Sequence, residues 1–192
     1  MKWRQIKPHS LLLPFFTLLN NGLLYFFTRS FIMQIQTRSQ VIIKAQIETV
    51  FDVSTDSQNL PKFFAGYQGI PAIVRAKNID GLPLHEGSIR IVDNSDGSSI
   101  EEVIVSLQRP TLQQYQLVKG FKPPFSWLVR TASGQWLYET IDTKTKVTWN
   151  FDFEVPNIFA YIIVRLVVQR SFQQAQDICL RNLKEYIENR RE

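Results

Sequence analysis

The chain has 192 residues, 44% hydrophobic and 20% charged, a composition typical of a globular protein with one sizeable core. Its net charge of +5 comes mainly from residues 1–32, which hold four basic residues and no Asp or Glu, whereas residues 33–192 hold 18 basic and 17 acidic residues. This nearly neutral balance argues against a nucleic-acid partner, and the single cysteine, Cys179, excludes an internal disulfide.

The N-terminal leader, residues 1–32, combines a basic start with two short apolar runs and looks like a signal sequence or membrane anchor. Pro14 and the Asn20-Asn21-Gly22 break keep each run shorter than the roughly 20 residues that a membrane-spanning helix needs. No small-residue cleavage site follows. Two interpretations remain open: a mis-assigned translation start, with a cytoplasmic protein beginning at Met33, or a leader that anchors the protein to a membrane. In both, residues 1–32 lie outside the fold and 33–192 form one domain.

The domain is predicted to begin with a strand and two short helices. Apolar and polar residues alternate over 34–44, which predicts a strand with one face exposed to water. Residues 47–54 place apolar side chains at helical spacing, and Asp56 or Ser57 is placed to cap a second short helix. That second helix carries Leu60, Phe63 and Phe64.

The middle of the chain is predicted to form successive antiparallel strands. After a strand at 70–76, Asp96-Gly97 between two β-prone runs predicts a hairpin. Another strand is expected at 112–118, beyond which Pro123-Pro124 interrupt the ladder because proline cannot donate a hydrogen bond. Further strands are predicted at 127–130, 135–141 and 147–153.

The chain ends in its clearest strand and a long helix. The strand alternates Val147, Trp149, Phe151 and Phe153 with polar residues, so one of its faces must be buried. Residues 157–190 contain no Pro or Gly, and apolar residues recur there at steps of four and three, which predicts one amphipathic helix capped by Asn157. Its apolar stripe consists of Val164, Val168, Phe172, Ala175, Cys179, Leu183 and Tyr186.

A helix of about 30 residues is roughly 45 Å long, so its stripe needs an equally long partner. The strands supply it. Together the elements predict an α+β fold, in which one strongly curved antiparallel sheet of about six or seven strands wraps around the C-terminal helix, with two short helices after the first strand.

The order of elements and several local sequences resemble the START-related helix-grip superfamily, in particular its polyketide cyclase/dehydrase-type members. The resemblance covers residues 34–187 and includes Ala45-Gln46-Ile47-Glu48-Thr49-Val50-Phe51, Leu60-Pro61-Lys62-Phe63 and Phe172-Gln173-Gln174-Ala175. Gln46 departs from the family pattern, since many members carry proline there. The resemblance implies a deep apolar cavity between sheet and helix that takes lipids, quinones, polyketides or hormones, and many members bind or transfer such ligands without catalysis.

Aromatic and basic residues of the strands and helices are the candidates for this cavity. A sheet curved around one helix rarely fills its whole interior with its own side chains, so such aromatics can serve a ligand. Arg90 and Arg130 each lie in an otherwise apolar strand and are placed to meet a ligand's polar group. The predicted ligand-binding residues are Phe63, Phe64, Arg90, Ile91, Tyr115, Trp127, Arg130, Trp136, Tyr138, Trp149, Phe151, Val168, Phe172 and Ala175. Cys179, Leu183 and Tyr186 are expected to be ordinary packing.

Residue types suited to catalysis are scarce. The only histidines, His9 and His85, support neither a zinc site nor a nucleophile–histidine pair, and we predict no metal and no cofactor. Glu101 and Glu102 are adjacent in a strand, so one of them faces inward. That glutamate is a candidate general acid or base, or else it pairs with Arg90 or Arg130.

The sequence thus favours a carrier or transfer protein for a hydrophobic small molecule, without catalysis. One alternative is a polyketide cyclase, aromatase or dehydrase that uses the inward glutamate, and another is a module that binds a protein partner. The segment Lys119-Gly-Phe-Lys-Pro-Pro-Phe125 is predicted either to form a lip that contacts an anionic membrane transiently or to be a solvated loop.

Overall fold

The computed structural model describes residues 33–191; the predictions for the leader lie outside this range. Seven strands form one antiparallel sheet in the order β1-β7-β6-β5-β4-β3-β2. The strands are β1 (Met33–Ile43), β2 (Ile73–Asn78), β3 (Ile89–Asn94), β4 (Ser99–Gln108), β5 (Leu112–Lys119), β6 (Thr131–Ile141) and β7 (Lys144–Val155). The predicted sheet and its hairpin at Asp96-Gly97 are therefore confirmed.

Short helices follow β1, and a long helical segment ends the chain. The helices are α1 (Ile47–Thr55), α2 (Leu60–Phe63) after a 3₁₀ turn (Ser57–Asn59), α3 (Phe125–Leu128), α4 (Ile158–Ile163), a π-helical segment (Val164–Val168) and α5 (Gln169–Glu188), with a final 3₁₀ turn (Asn189–Arg191). The predicted caps are present, since Asp56 accepts a hydrogen bond from the Gln58 N–H and Asn157 from the Ala160 N–H. No helix within residues 33–191 is long and apolar enough to cross a bilayer.

One predicted strand is wrong. Residues 127–130 do not continue the sheet; Trp127 belongs to α3, in which the Val129 N–H donates to the Phe125 carbonyl. The cause lies in Pro123-Pro124, because the fixed φ of proline favours the start of a helix. The ladder resumes only at Arg130, whose N–H donates to the Glu154 carbonyl.

The sheet wraps around α5, which also covers the edge strand β1. The two outermost pairs of β1 and β7 are Met33 with Val155 and Ile43 with Thr145. The other edge of β1 carries backbone groups that α5 satisfies, for example the Gln36 and Ile42 carbonyls, which accept from Gln169 and Lys184. An unpaired strand edge invites association with another chain, so these bonds both orient the helix and protect the edge.

A ligand cavity between the sheet and the C-terminal helix

A cavity of about 690 Å³ lies between the concave face of the sheet and the C-terminal helical segment. Small-molecule sites in proteins generally measure about 300–1,000 Å³. Nine of the predicted ligand-binding residues line it: Phe64, Arg90, Tyr115, Trp127, Trp136, Trp149, Phe151, Val168 and Phe172. Aromatic side chains dominate this wall, so the cavity suits an apolar ligand.

The aromatic wall is held rigidly because its members lie on adjacent strands. Trp136 of β6 and Trp149 of β7 are direct cross-strand partners, with ring centroids 4.8 Å apart and rings nearly parallel. From the helix, Phe172 packs against Phe151 at 4.4 Å and Phe153 at 5.0 Å. Such contacts order the rings before any ligand arrives, which lowers the entropy lost on binding.

Five predicted residues do not line the cavity. Ile91 lies on the outer face of β3, because Arg90 takes the inward position beside it. Arg130 is exposed and follows α3 instead of lying in a strand, so it cannot serve a ligand in the interior. The strand assignment to 127–130 was the source of that error.

Phe63, Tyr138 and Ala175 are buried but are packed against protein. Phe63 contacts Tyr186 with ring centroids 5.3 Å apart, and the Tyr138 hydroxyl is hydrogen-bonded to Ser54 at 2.7 Å. Ala175 is fully buried in the helix–sheet contact. Sequence periodicity shows which face of an element is buried, but it does not show whether the space opposite is filled.

Cys179 lies on the cavity wall, contrary to the prediction that it is ordinary packing. It is one turn beyond Ala175 on the same helix, so the cavity reaches past a residue that does not line it. Burial raises the pKa of the Cys179 thiol, which disfavours the nucleophilic thiolate. Leu183 and Tyr186 lie outside the cavity, as expected.

A buried ion pair forms the polar part of the cavity wall. Arg90 and Glu102 are cross-strand partners on β3 and β4, with Nη2–Oε2 and Nε–Oε2 distances of 2.6 Å and 2.8 Å. Their side chains are only 3% and 10% exposed. The third guanidinium nitrogen, Nη1 of Arg90, is buried and has no hydrogen-bond partner in the protein. A buried donor without a partner is costly, so this atom marks where a ligand acceptor would bind.

Glu102 is therefore the inward member of the adjacent glutamates. Glu101 points outward and pairs with exposed Lys119 at 3.3 Å. The sequence left this choice open because it does not fix the register of the β3–β4 hairpin, and a one-residue shift exchanges the two faces.

Tyr115 approaches the ion pair from β5. The Arg90 guanidinium lies 5.8 Å from the centre of its ring, and burial together with the charge of Glu102 raises the pKa of its hydroxyl. The ring lies over Gly134, where a Cβ atom would stand 2.1 Å from Cζ of Tyr115. A residue other than glycine at position 134 would displace Tyr115, so this glycine keeps the tyrosine in the wall.

Several cavity residues were missed from the sequence. At the mouth these are Phe121, Phe125, Leu128, Ile163 and Val167; deeper they include Val92, Ile100, Gln113, Leu117, Ala132 and Phe153. Val92 and Ile100 lie two residues from Arg90 and Glu102 on the same strands and therefore share their inward face, so their positions follow once the register is known. Phe125 and Leu128 depend on α3, which the strand assignment concealed, whereas Ile163 and Val167 lie on the C-terminal helical segment.

The one histidine in the part of the chain described does not contribute to the cavity. His85 is half exposed in a loop outside the cavity, 3.6 Å from Asp80. Within residues 33–191, no group of three or more His, Cys, Asp or Glu side chains is arranged to hold a metal ion.

Residues 34–188 match a protein-family model described as polyketide cyclase / dehydrase and lipid transport. The chain belongs to this family. The membership confirms the resemblance drawn from the sequence and accounts for the shared helix-grip architecture. Comparison with curated proteins finds no match.

Solved structures share the fold at low sequence identity. A norcoclaurine synthase mutant from Thalictrum flavum, solved with a transition-state analogue, is 12% identical with a TM-score of 0.62 over 84% of this chain and 98% of its own. Ara h 8.0201 is 17% identical with a TM-score of 0.59, covering 82% and 99%. XoxI from Bacillus cereus is 18% identical with a TM-score of 0.58, covering 82% and 98%. These likenesses concern the fold alone.

Proposed function

We propose that this protein binds a hydrophobic small molecule, such as a lipid, a quinone or a polyketide-like compound, and carries or transfers it without catalysis. The observation that carries the proposal is the aromatic cavity of about 690 Å³, whose lining residues Arg90 and Trp149 each hold a buried donor without a hydrogen-bond partner, Nη1 and Nε1. An apolar body with a small number of oxygen acceptors is what such a site selects.

The Arg90–Glu102 ion pair limits which polar group of a ligand can bind at Nη1 of Arg90. Arg90 is already neutralised by Glu102, so a second carboxylate in the cavity would meet the charge of Glu102 without a free cation to offset it. A carbonyl, ether or hydroxyl oxygen accepts from Nη1 without adding charge. We therefore expect an uncharged ligand with an oxygen acceptor at its buried end.

Native mass spectrometry of protein from its own host, followed by displacement of an apolar fluorescent probe, tests the proposal. Ala132 lines the cavity on β6, and Ser133 is exposed on the opposite face of the same strand. Ala132→Phe should abolish probe and ligand binding, whereas the matched control Ser133→Phe should leave both unchanged. Loss in neither variant, or no bound apolar molecule at all, would overturn the proposal.

A second candidate function is cyclisation, aromatisation or dehydration of a polyketide-like substrate. It is favoured by Glu102, the one carboxylate placed beside Arg90 in the cavity wall, which could move a proton at a bound substrate. Glu102→Gln should then abolish turnover while ligand binding persists, and Glu101→Gln, on the outer face, should change nothing. Equal turnover in both variants would exclude this role for Glu102.

A further inference from the structure

The start of the C-terminal helical segment is apolar on its outer face as well as its inner one. Ala160 and Val164 are buried inward, yet Phe159 and Leu166 are 75% and 74% exposed. Trp127, 71% exposed, adds to this surface from α3, which packs beside α4. We call these residues the mouth surface: Trp127, Ile158, Phe159, Ile162, Ile163, Leu166 and Val167. Exposed apolar patches of this kind mark interaction sites.

The mouth surface and the cavity are continuous. Trp127, Ile163 and Val167 are exposed to solvent and also line the cavity. An apolar ligand that leaves the interior at this point therefore passes over apolar side chains and reaches whatever covers them. The occupant of the mouth surface is thus also the immediate source or acceptor of the ligand.

Charge indicates the nature of that occupant. The two segments that build the mouth, 119–130 and 157–170, contain five basic residues and no Asp or Glu. These are Lys119, Lys122, Arg130, Arg165 and Arg170. Three acids interact with these basic residues. Glu101 pairs with Lys119, the pKa of Asp96 is lowered mainly by Ser98 and in part by Lys122, and the backbone carbonyl of Glu154 accepts from the Arg130 N–H. Apolar side chains ringed by cations suit a bilayer with anionic headgroups.

The domain begins close in the sheet to the start of α4, which is consistent with a bilayer as the occupant of the mouth surface. Met33 pairs with Val155, two residues before the Asn157 cap of α4. The 32 residues that precede it carry two apolar runs, four basic residues and no acid. We propose that the mouth surface docks on a lipid bilayer that carries anionic headgroups, with the cavity opening toward the membrane. This docking and the ligand proposal can fail separately.

Quenching of Trp127 by lipids reports the docking directly. In the full chain carrying Trp3→Phe and Ala132→Phe, Trp127 is the exposed tryptophan, since Trp136 and Trp149 are buried, and the filled cavity keeps brominated lipid from reaching the tryptophans that line it. Vesicles of acyl-brominated phosphatidylcholine mixed with phosphatidylserine should quench its emission, because the indole then lies against the acyl chains. A fluorescence signal that the vesicles leave unchanged would overturn the proposal.

Matched variants show whether the mouth surface is responsible. Leu166→Gln should weaken vesicle binding, followed by the quenching, about tenfold, because one apolar side chain is withdrawn from lipid. The matched control Leu82→Gln changes a leucine that is 58% exposed elsewhere and should not weaken it. On anionic vesicles, Arg165→Gln and Arg170→Gln should each weaken vesicle binding about fivefold. Arg181 is exposed farther along the same helical segment, and Arg181→Gln should leave vesicle binding unchanged.

Other occupants give distinct outcomes. A lipid-free dimer in light scattering that Leu166→Gln dissociates, without Trp127 quenching, would assign the surface to a second copy and overturn the proposal. Equal effects of Leu82→Gln and Leu166→Gln would overturn it as well. Loss of Trp127 quenching in Leu166→Gln supports the proposal even where the variant stays on the vesicles, because it shows that Leu166 is needed to bring Trp127 against the acyl chains.

Discussion

The interior has two halves that differ in how completely they are filled. In the packed half, the later turns of α5 place Ala175, Leu183 and Ile187 against the sheet with almost no exposed surface. In the cavity half, Phe172 and the aromatic strands enclose about 690 Å³ that protein does not fill. Large aromatic residues line the half that remains open, so the opening arises from the spacing between sheet and helix and not from a lack of large residues.

Hydrogen bonding distinguishes α5 from the helical segment before it. Along α5, polar side chains bond the backbone of β1: Gln173 donates to the Arg38 carbonyl and Lys184 to the Ile42 carbonyl, at 2.8 Å and 2.7 Å. Between Ile158 and Val167, the mouth-surface residues all have hydrocarbon side chains. The helical segment is thus fixed to β1 along α5 and held mainly by apolar contacts where the cavity opens.

Among single substitutions, we expect the largest loss of stability at the ion pair in the cavity half. Arg90→Met leaves the Glu102 carboxylate buried without a partner, which should lower the free energy of unfolding by about 3–5 kcal/mol in urea titrations. Arg90→Met/Glu102→Leu should recover most of this loss, because both charges are then absent. Lys119→Met, which breaks the exposed pair with Glu101, should have no measurable effect. A double variant no more stable than Arg90→Met would contradict this account.

Shortening a side chain should distinguish the halves next. Leu183→Ala creates a void in the packed half and should cost about 2–5 kcal/mol in the same titration. Val168→Ala, at a half-buried residue that already borders open space, should cost about 1 kcal/mol. Similar losses for the two variants would mean that the cavity half is as tightly packed as the other.

Enlarging a side chain should also distinguish the two halves, with a smaller loss of stability. Ala175→Phe has no space to enter and should cost about 1–3 kcal/mol. Ala132→Phe points into the cavity and should leave the unfolding midpoint nearly unchanged while it blocks the probe. A midpoint for Ala132→Phe as low as that for Ala175→Phe would show that the cavity collapses in solution.

Periodicity is sufficient for the fold because it depends on which face of each element is apolar. The alternation in β7 and the stripe of α5 therefore predicted the sheet and the helix correctly, and the order of elements with the local sequences carried the resemblance to the family. The site depends on finer features: the strand register that decides which of Glu101 and Glu102 faces inward, the helix that Pro123-Pro124 begin, and the distance between sheet and helix at Ala175 and Cys179. The register and the distance arise from tertiary packing. The helix has a local signal in its two prolines, which also fits a simple interruption of the ladder.

Chemical labelling of the Cys179 thiol perturbs the protein least, because it needs no substitution. As burial raises its pKa, the charged reagent dithiobis(nitrobenzoate) should react slowly with the folded protein at neutral pH and at the rate of a free thiol in urea. Neutral N-ethylmaleimide can enter an apolar cavity and should react faster than the charged reagent relative to their rates in urea. Ala132→Phe should remove this advantage, because it fills the space through which the reagent reaches the only cysteine. An unchanged rate in that variant would place the thiol outside the cavity and move the boundary between the two halves back toward Phe172.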